Sequence, residues 1–221
     1  MKILVGIPAF NEEKNIGSII IKLEKMVDGV IVCNDGSSDL TGIIAEKLGA
    51  TVINHPKNLG YGGAINSIFT KAKEMDADIL VTFDADGQHS SNLLIKYIEY
   101  LKNGFDLVLG VRPYSARVSE LLFSFYTRLK FGWKDPLCGM KGYSMRLYKN
   151  QGYFDSFNSV GTELAFFALL HKYKYIQLSI PIMKRHSKSR FSPSFLANMQ
   201  ILMALLVKLL KMKTLLLTLS F

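Results

Sequence analysis

The sequence holds only two cysteines, Cys33 and Cys138, in 221 residues. Two thiols give no disulfide framework and no metal-ligand spacing, so the chain suits a reducing compartment. Met1-Lys2 leads straight into Ile-Leu-Val-Gly-Ile-Pro, and a polar stretch from Asn11 to Asn15 follows at once. That apolar run is too short for a signal peptide, so a cytoplasmic location is expected. No Gly-x-Ser-x-Gly elbow and no Gly-Lys-Ser/Thr phosphate loop occur, and His55 and His89 lack partners at zinc spacing. Internal repeats and low-complexity linkers are missing too. Hydrophobic residues, by contrast, make up 49% of the chain against 20% charged, which argues for a packed core and against disorder. The net charge of +9 points to an anionic partner: phosphates, a lipid headgroup surface or nucleic acid. The basic residues crowd toward the C-terminus without any recognised nucleic-acid motif, so nucleic acid is the least favoured of the three.

Short β-branched runs alternate with helical patterns through the first half. Ile3 to Ile7, Gly29 to Cys33, Thr51 to Ile53, Ile79 to Phe83 and Asp106 to Val111 read as strands. Glu12 to Met26, Asp39 to Leu48, Gly62 to Met75 and Ser91 to Lys102 read as the helices between them. Such alternation predicts an α/β fold with a mostly parallel, Rossmann-like sheet covered on both faces. Further on, Val118 to Lys130 is a helical stretch with Leu121, Leu122, Phe125 and Leu129 on one face. A loop from Gly132 to Ser144, a helix near Thr162 to Lys172 and a strand from Gln177 to Ile182 follow. One domain over 1–190 is expected, with an apolar helical tail over 191–221.

In open α/β sheets ligands bind beyond the carboxyl ends of the strands, and here three of those ends are acidic. Asp84-Ala85-Asp86 follows an apolar strand directly, and two carboxylates at i and i+2 in a turn can face one hard divalent cation such as Mg²⁺ or Mn²⁺. Gln88 can add a neutral oxygen. The plain alternative is a solvated turn in which an Asp caps the next helix. Asp35, in Asn34-Asp35-Gly36-Ser37-Ser38-Asp39, can accept from the N–H groups of uracil or guanine, or simply sit in a turn while Ser38 or Asp39 caps a helix. Pro8 and Phe10 can wall the base and Glu12 can reach the nucleoside, although Glu12 and Glu13 also suit a helix N-terminus. Gly60-Tyr61-Gly62-Gly63 before a helix predicts either a close backbone approach to an anion or a tight turn.

Taken together these segments resemble the family 2 inverting glycosyltransferases of the GT-A fold, in particular the dolichyl-phosphate mannose/glucose synthase branch. Pro8 to Glu13 resembles the opening donor motif, Asn34 to Asp39 the second acidic motif, Asn58 to Ala64 the glycine segment and Asp84 to His89 the metal motif. Gly110-Val111-Arg112, Gly139 to Ser144 and Arg185 to Ser189 follow in the family's order, so the resemblance spans roughly residues 3 to 190. It implies a nucleotide-sugar donor held at its nucleoside by Pro8, Phe10, Glu12 and Asp35. It also implies a cation and diphosphate site at Asp84, Asp86 and Gln88, and phosphate contacts from Arg185 and Lys188 aided by Arg112 and Arg117. Tyr61 and the loop with Trp133, Asp135 and Pro136 depart from the common pattern.

Inversion at the anomeric carbon needs a general base when the acceptor is a hydroxyl, but none when it is an already anionic polyprenyl phosphate. The chain lacks the Glu-Asp pair common in hydroxyl-directed members, and Glu163 is the one acid that could serve instead of merely opening a helix. The basic run 184–190 suits an acceptor phosphate, or is a solvated loop. The expected reaction is therefore hexose transfer from a GDP- or UDP-sugar to a polyprenyl or dolichyl phosphate. A saccharide or protein hydroxyl acceptor, and a silent nucleotide-sugar-binding module, are the competing readings. The uncharged run 191–207 falls short of the ~20 residues that span a bilayer, and Lys208, Lys211 and Lys213 follow it. That pattern suits an interfacial segment on an anionic leaflet, peripheral at the cytoplasmic face, or a buried or self-associating helix. Oligomeric state and the identity of the base are not legible.

Overall fold

Strand β1 (Ile3–Ala9) is buried along nearly its whole length, which requires cover on both of its faces. It pairs in parallel with β2 (Gly29–Asn34) on one side and β4 (Ile79–Thr82) on the other, and β3 (Thr51–Asn54) extends the sheet beyond β2. The computed structural model describes residues 1–85, 92–113, 117–155, 160–181 and 198–206. Past β4 the sheet continues through β6 (Lys141–Ser144), β5 (Leu107–Val111) and β7 (Tyr175–Ser179), giving the order β3-β2-β1-β4-β6-β5-β7. Only β6 runs antiparallel to its neighbours. The expected mostly parallel α/β sheet is present, and a strand occupies the end of the stretch read as a loop.

Helices α1 (Ile16–Leu23), α2 (Thr41–Lys47) and α4 (Asn92–Lys102) lie on the side of the sheet where Val5, Ile7, Val32 and Val81 are buried. On the other side α3 (Gly60–Glu74), α5 (Val118–Phe131), α6 (Met145–Gln151) and α7 (Glu163–Leu170) enclose Leu4, Ile31, Leu80, Leu109 and Tyr143. Residues 198–206 are helical, and Ile201 and Ala204 join this second cluster. No helix among the described residues is long and apolar enough to cross a membrane. Most of the proposed tail, like residues 182–190, lies outside the described residues.

Connections from β1 run outward to β2 and β3, then return across it to β4. The switch point thus falls between β1 and β4, where an open sheet leaves a crevice. Because β2 and β4 both flank β1, their carboxyl ends lie roughly 10 Å apart. The reversed β6 brings its own N-terminal end to the same edge.

Candidate active site

The loops after β1 and β2 are bound to each other. Asn11, in the left-handed region at φ 53°, donates its N–H to the Ser37 hydroxyl, and its side-chain oxygen accepts from Ser38 N–H at 2.9 Å. Glu12 N–H donates to Thr41 Oγ1 at 2.8 Å, and its carboxylate accepts from Asn15 at 2.8 Å. Glu12 is therefore buried beside the start of α1. Asp39, one of the two residues expected to cap this helix, accepts from Thr41 N–H at 3.0 Å and so serves the opening turn of α2. Pro8 is half-buried and Phe10 exposed, which leaves an aromatic face at the end of β1.

Asp35 is almost wholly buried, and its carboxylate is held from three directions. Oδ1 accepts from His55 Nδ1 at 2.7 Å and from Leu59 N–H at 2.9 Å, and Oδ2 accepts from Gly60 N–H at 2.9 Å. On its other side, His55 Nε2 lies 2.9 Å from the Ser67 hydroxyl, so the ring is held between Asp35 and α3. Gly60 sits at φ +78°, a conformation that favours glycine, and this turns its amide toward the carboxylate. The anion that the glycine segment approaches is thus the protein's own Asp35, placed at the positive end of α3. Beneath it, burial followed by the charge of Asp35 pushes the Cys33 thiol up to about 12, so Cys33 stays neutral and takes no nucleophilic part.

From Asp35 the N-terminus of α3 leads across to Asp84. Tyr61, next to Gly60, donates its hydroxyl to Gly139 carbonyl oxygen at 3.4 Å, and Thr82 donates to the same carbonyl at 2.7 Å. Gly139 in turn lies flat against the Asp84 carboxylate: a Cβ placed there would stand 2.3 Å from both oxygens. Burial, and next the charge of Asp84, hold the Tyr61 hydroxyl well above its ordinary value and keep it a donor. The two carboxylates at the ends of β2 and β4 therefore bracket one helix N-terminus. Sequence reading placed both at one edge; the link through Tyr61 and Gly139 had no sequence signal beyond their proximity to the motifs.

Arg112, at the end of β5, is held by two carboxylates. Its guanidinium grips Asp135 at 2.8 and 2.9 Å and reaches Glu120 at 3.1 Å, while Arg117 meets Glu120 at 3.3 Å. Burial alone would lower the Arg112 pKa, but the hydrogen bonds and charge of Asp135, with Glu120, hold it above its ordinary value. This bidentate grip ties β5 to the loop before β6. Lys141 is a cation that sequence reading missed. It opens β6 opposite Thr82, is buried, and is pushed below its ordinary value by burial against the charges of Asp135 and Asp84. Glu163 opens α7, buried, and accepts from the Tyr153 hydroxyl at 3.3 Å, as the helix-terminal reading expected.

Of the expected cation set, Asp84 is a half-buried carboxylate just past the strand end, and Asp86 and Gln88 lie outside the described residues. Among the described residues no group of three or more His, Cys, Asp or Glu side chains could hold an ion. Arg185 and Lys188 also lie outside them.

The family model described as Glycosyl transferase family 2 matches residues 4–176. A dolichyl-phosphate hexose transferase of Haloferax volcanii is 28% identical over 196 residues, covering 83% of this chain and 84% of its own. A UDP-N-acetylglucosamine–dolichyl-phosphate N-acetylglucosaminyltransferase of Methanococcus voltae is 33% identical, with 65% of this chain and 69% of its own covered. Glucosyl-3-phosphoglycerate synthase of Mycobacterium tuberculosis, crystallised with Mn²⁺, uridine diphosphate and glucosyl-3-phosphoglycerate, shares the fold. Its TM-score is 0.74 at 24% identity, over 93% of this chain and 79% of that one. The chain belongs to glycosyl transferase family 2 and is a glycosyltransferase of the GT-A fold.

Proposed function

We propose that the chain moves a hexose from a uridine-diphosphate sugar to a polyprenyl or dolichyl phosphate at the cytoplasmic face of a membrane. The observation that carries this reading is the bracketing of the α3 N-terminus by Asp35 and Asp84, two strand spacings or roughly 10 Å apart at the ends of β2 and β4. A nucleoside diphosphate is of that span, with its base at one carboxylate and its phosphates at the other.

The acceptor positions of Asp35 favour uracil over guanine. A carboxylate offers about four of them. Three are filled, both on Oδ1 and one on Oδ2, by His55, Leu59 and Gly60. One imide N–H can use the remainder, whereas the paired N1–H and N2–H of guanine need an open position on each oxygen. Phe10, exposed at the end of β1, offers a face against which the ring can lie, with Pro8 behind it.

Asp84, with Asp86 and Gln88, would hold Mg²⁺ or Mn²⁺, which when bound neutralises charge on the departing diphosphate. The chain's own residues fix the donor: Asp35 orients the base, and Gly139 lets the Asp84 carboxylate sit at the strand end. Polyprenyl phosphate as acceptor is supported by the names of the Haloferax and Methanococcus relatives, and by the engagement of Glu163 with Tyr153 at a helix start. An anionic acceptor needs cations, for which Arg185 and Lys188 are proposed. The unit 1–190 carries the chemistry, and the tail 191–221 rests on the anionic membrane surface.

Purified protein with Mn²⁺ or Mg²⁺, UDP- and GDP-sugars and polyprenyl phosphate tests this. Sugar transfer to the lipid is expected, with UDP binding at least about tenfold tighter than GDP by calorimetry. Transfer only to saccharides would move the acceptor to a hydroxyl, binding without turnover would make the chain a silent module, and tighter GDP binding would reverse the base assignment.

A further inference from the structure

Lys141 is buried without an answering charge. It opens β6, opposite Thr82 of β4 on one side and Leu109 of β5 on the other. Residues two apart in a strand share a face, so its side chain lies on the face that holds Tyr143. Lys141 is only 3% exposed, yet no hydrogen bond or ion pair joins its ammonium group to a described residue. Its bonds are those of its backbone, whose N–H donates to the Thr82 hydroxyl at 3.1 Å. Arg112 differs, since it meets both Asp135 and Glu120. Asp135 in turn already accepts three bonds from Arg112, one of them from its backbone.

A buried ammonium lowers stability unless something pairs with it, and a methionine of similar length fills such a space without that penalty. Packing therefore does not account for the charge. Burial pushes the Lys141 pKa below its ordinary value, and the charges of Asp135 and Asp84 work against that fall. The ammonium thus stands within electrostatic reach of the carboxylate that follows β4 and of the one tied to the end of β5.

The order of the strands says what this cation faces. Along the sheet edge β2, β1, β4 and β6 follow one another, so Asp35, Asp84 and Lys141 stand in that sequence. Lys141 lies one strand spacing, roughly 5 Å, beyond β4 on the side away from Asp35. With the base at Asp35 and the diphosphate at Asp84, the sugar hangs on that same far side. An inverting displacement brings the acceptor in opposite the leaving oxygen, farther along the edge. We infer that the Lys141 ammonium binds the phosphate of the lipid acceptor and holds one of its oxygens in line with the anomeric carbon. That oxygen bonds to the carbon as the bond to the diphosphate oxygen breaks. The diphosphate leaves with the electron pair, and no proton is moved. The charge-assisted bond to the acceptor supplies the partner that the fold withholds from Lys141. This inference rests on the donor and acceptor proposed above and adds a residue to them.

Steady-state transfer by the full chain, at saturating UDP-sugar and varied polyprenyl phosphate, tests it beside calorimetric UDP binding and thermal melting. Lys141→Met is expected to raise the KM for polyprenyl phosphate about tenfold or more, because a hydrogen bond to a charged group is lost. UDP affinity should stay unchanged, and the variant should melt at or above the native temperature, since the unanswered charge is gone. Lys141→Gln, polar but uncharged, should raise the acceptor KM as the methionine variant does. Native acceptor KM in both variants would overturn the assignment while leaving lipid phosphate as the acceptor. A fall in UDP affinity as large as the rise in KM would also overturn it, by moving the cation to the donor diphosphate. Native chain that binds UDP but transfers nothing to the lipid would remove the acceptor and this role of Lys141 together.

Discussion

Gly139→Ala is expected to lower sugar transfer about a hundredfold while leaving the chain folded. The new methyl would stand 2.3 Å from both oxygens of Asp84, far inside contact distance, so one of the two must move. The carboxylate is the part that can yield, since it ends a short side chain in a half-buried loop, whereas Gly139 is fixed through its carbonyl by Thr82 and Tyr61. Displacement by about 1 Å at a group that positions the diphosphate is worth about a hundredfold in rate. Gly139 does not lie in the left-handed region, so alanine adds no backbone strain, and the cost in stability should stay within about 1–3 kcal/mol. Turnover measured beside thermal melting separates the two effects. Full activity in this variant would show that the position of Asp84 does not matter.

Asp35→Ala should act on both folding and binding. Removing the carboxylate leaves His55 Nδ1–H and the amides of Leu59 and Gly60 without their acceptor. Water can enter to satisfy some of these donors, so a loss of about 2–4 kcal/mol in urea unfolding is expected. UDP binding should weaken by about a hundredfold or more, because the base loses its acceptor and the α3 N-terminus its anchor. Asp35→Asn separates these roles. Its oxygen can still accept from His55 and Leu59, but its amide nitrogen would face both Gly60 N–H and the base. Stability should fall less than in the alanine variant, and UDP binding nearly as much.

The strands were legible because β1, β2 and β4 are near-continuous apolar runs, and the acidic loops stood out because they end those runs. Strand β6 was not. Lys141-Gly142-Tyr143-Ser144 has no β-branched residue and contains a glycine, and its extended form comes from pairing with β4 and β5 on either side. Helix α6, seven residues long, gave too short a period to read. The apolar face of α5 was found by spacing, but Leu121, Leu122, Phe125 and Leu129 are exposed, and spacing does not tell inward from outward. That depends on partners such as Arg112 and Trp133 for its polar side, which only the fold supplies. Arg112 was read as a phosphate helper, and its grip on Asp135 spans 23 residues and a strand end. The bond from His55 to Asp35 follows from the pairing of Asn34 with Asn54, invisible in the chain order. For Asp86, Gln88, Arg185 and Lys188 the motif order is the whole of the support.

Calorimetric titration of UDP, with and without Mn²⁺, into the native chain and Asp84→Asn goes most directly to the bracketed α3 N-terminus. Binding that strengthens at least about tenfold with Mn²⁺ in the native chain, and loses that gain in the variant, is the predicted result. Equal UDP affinity in both proteins, whether or not the metal is present, would contradict it.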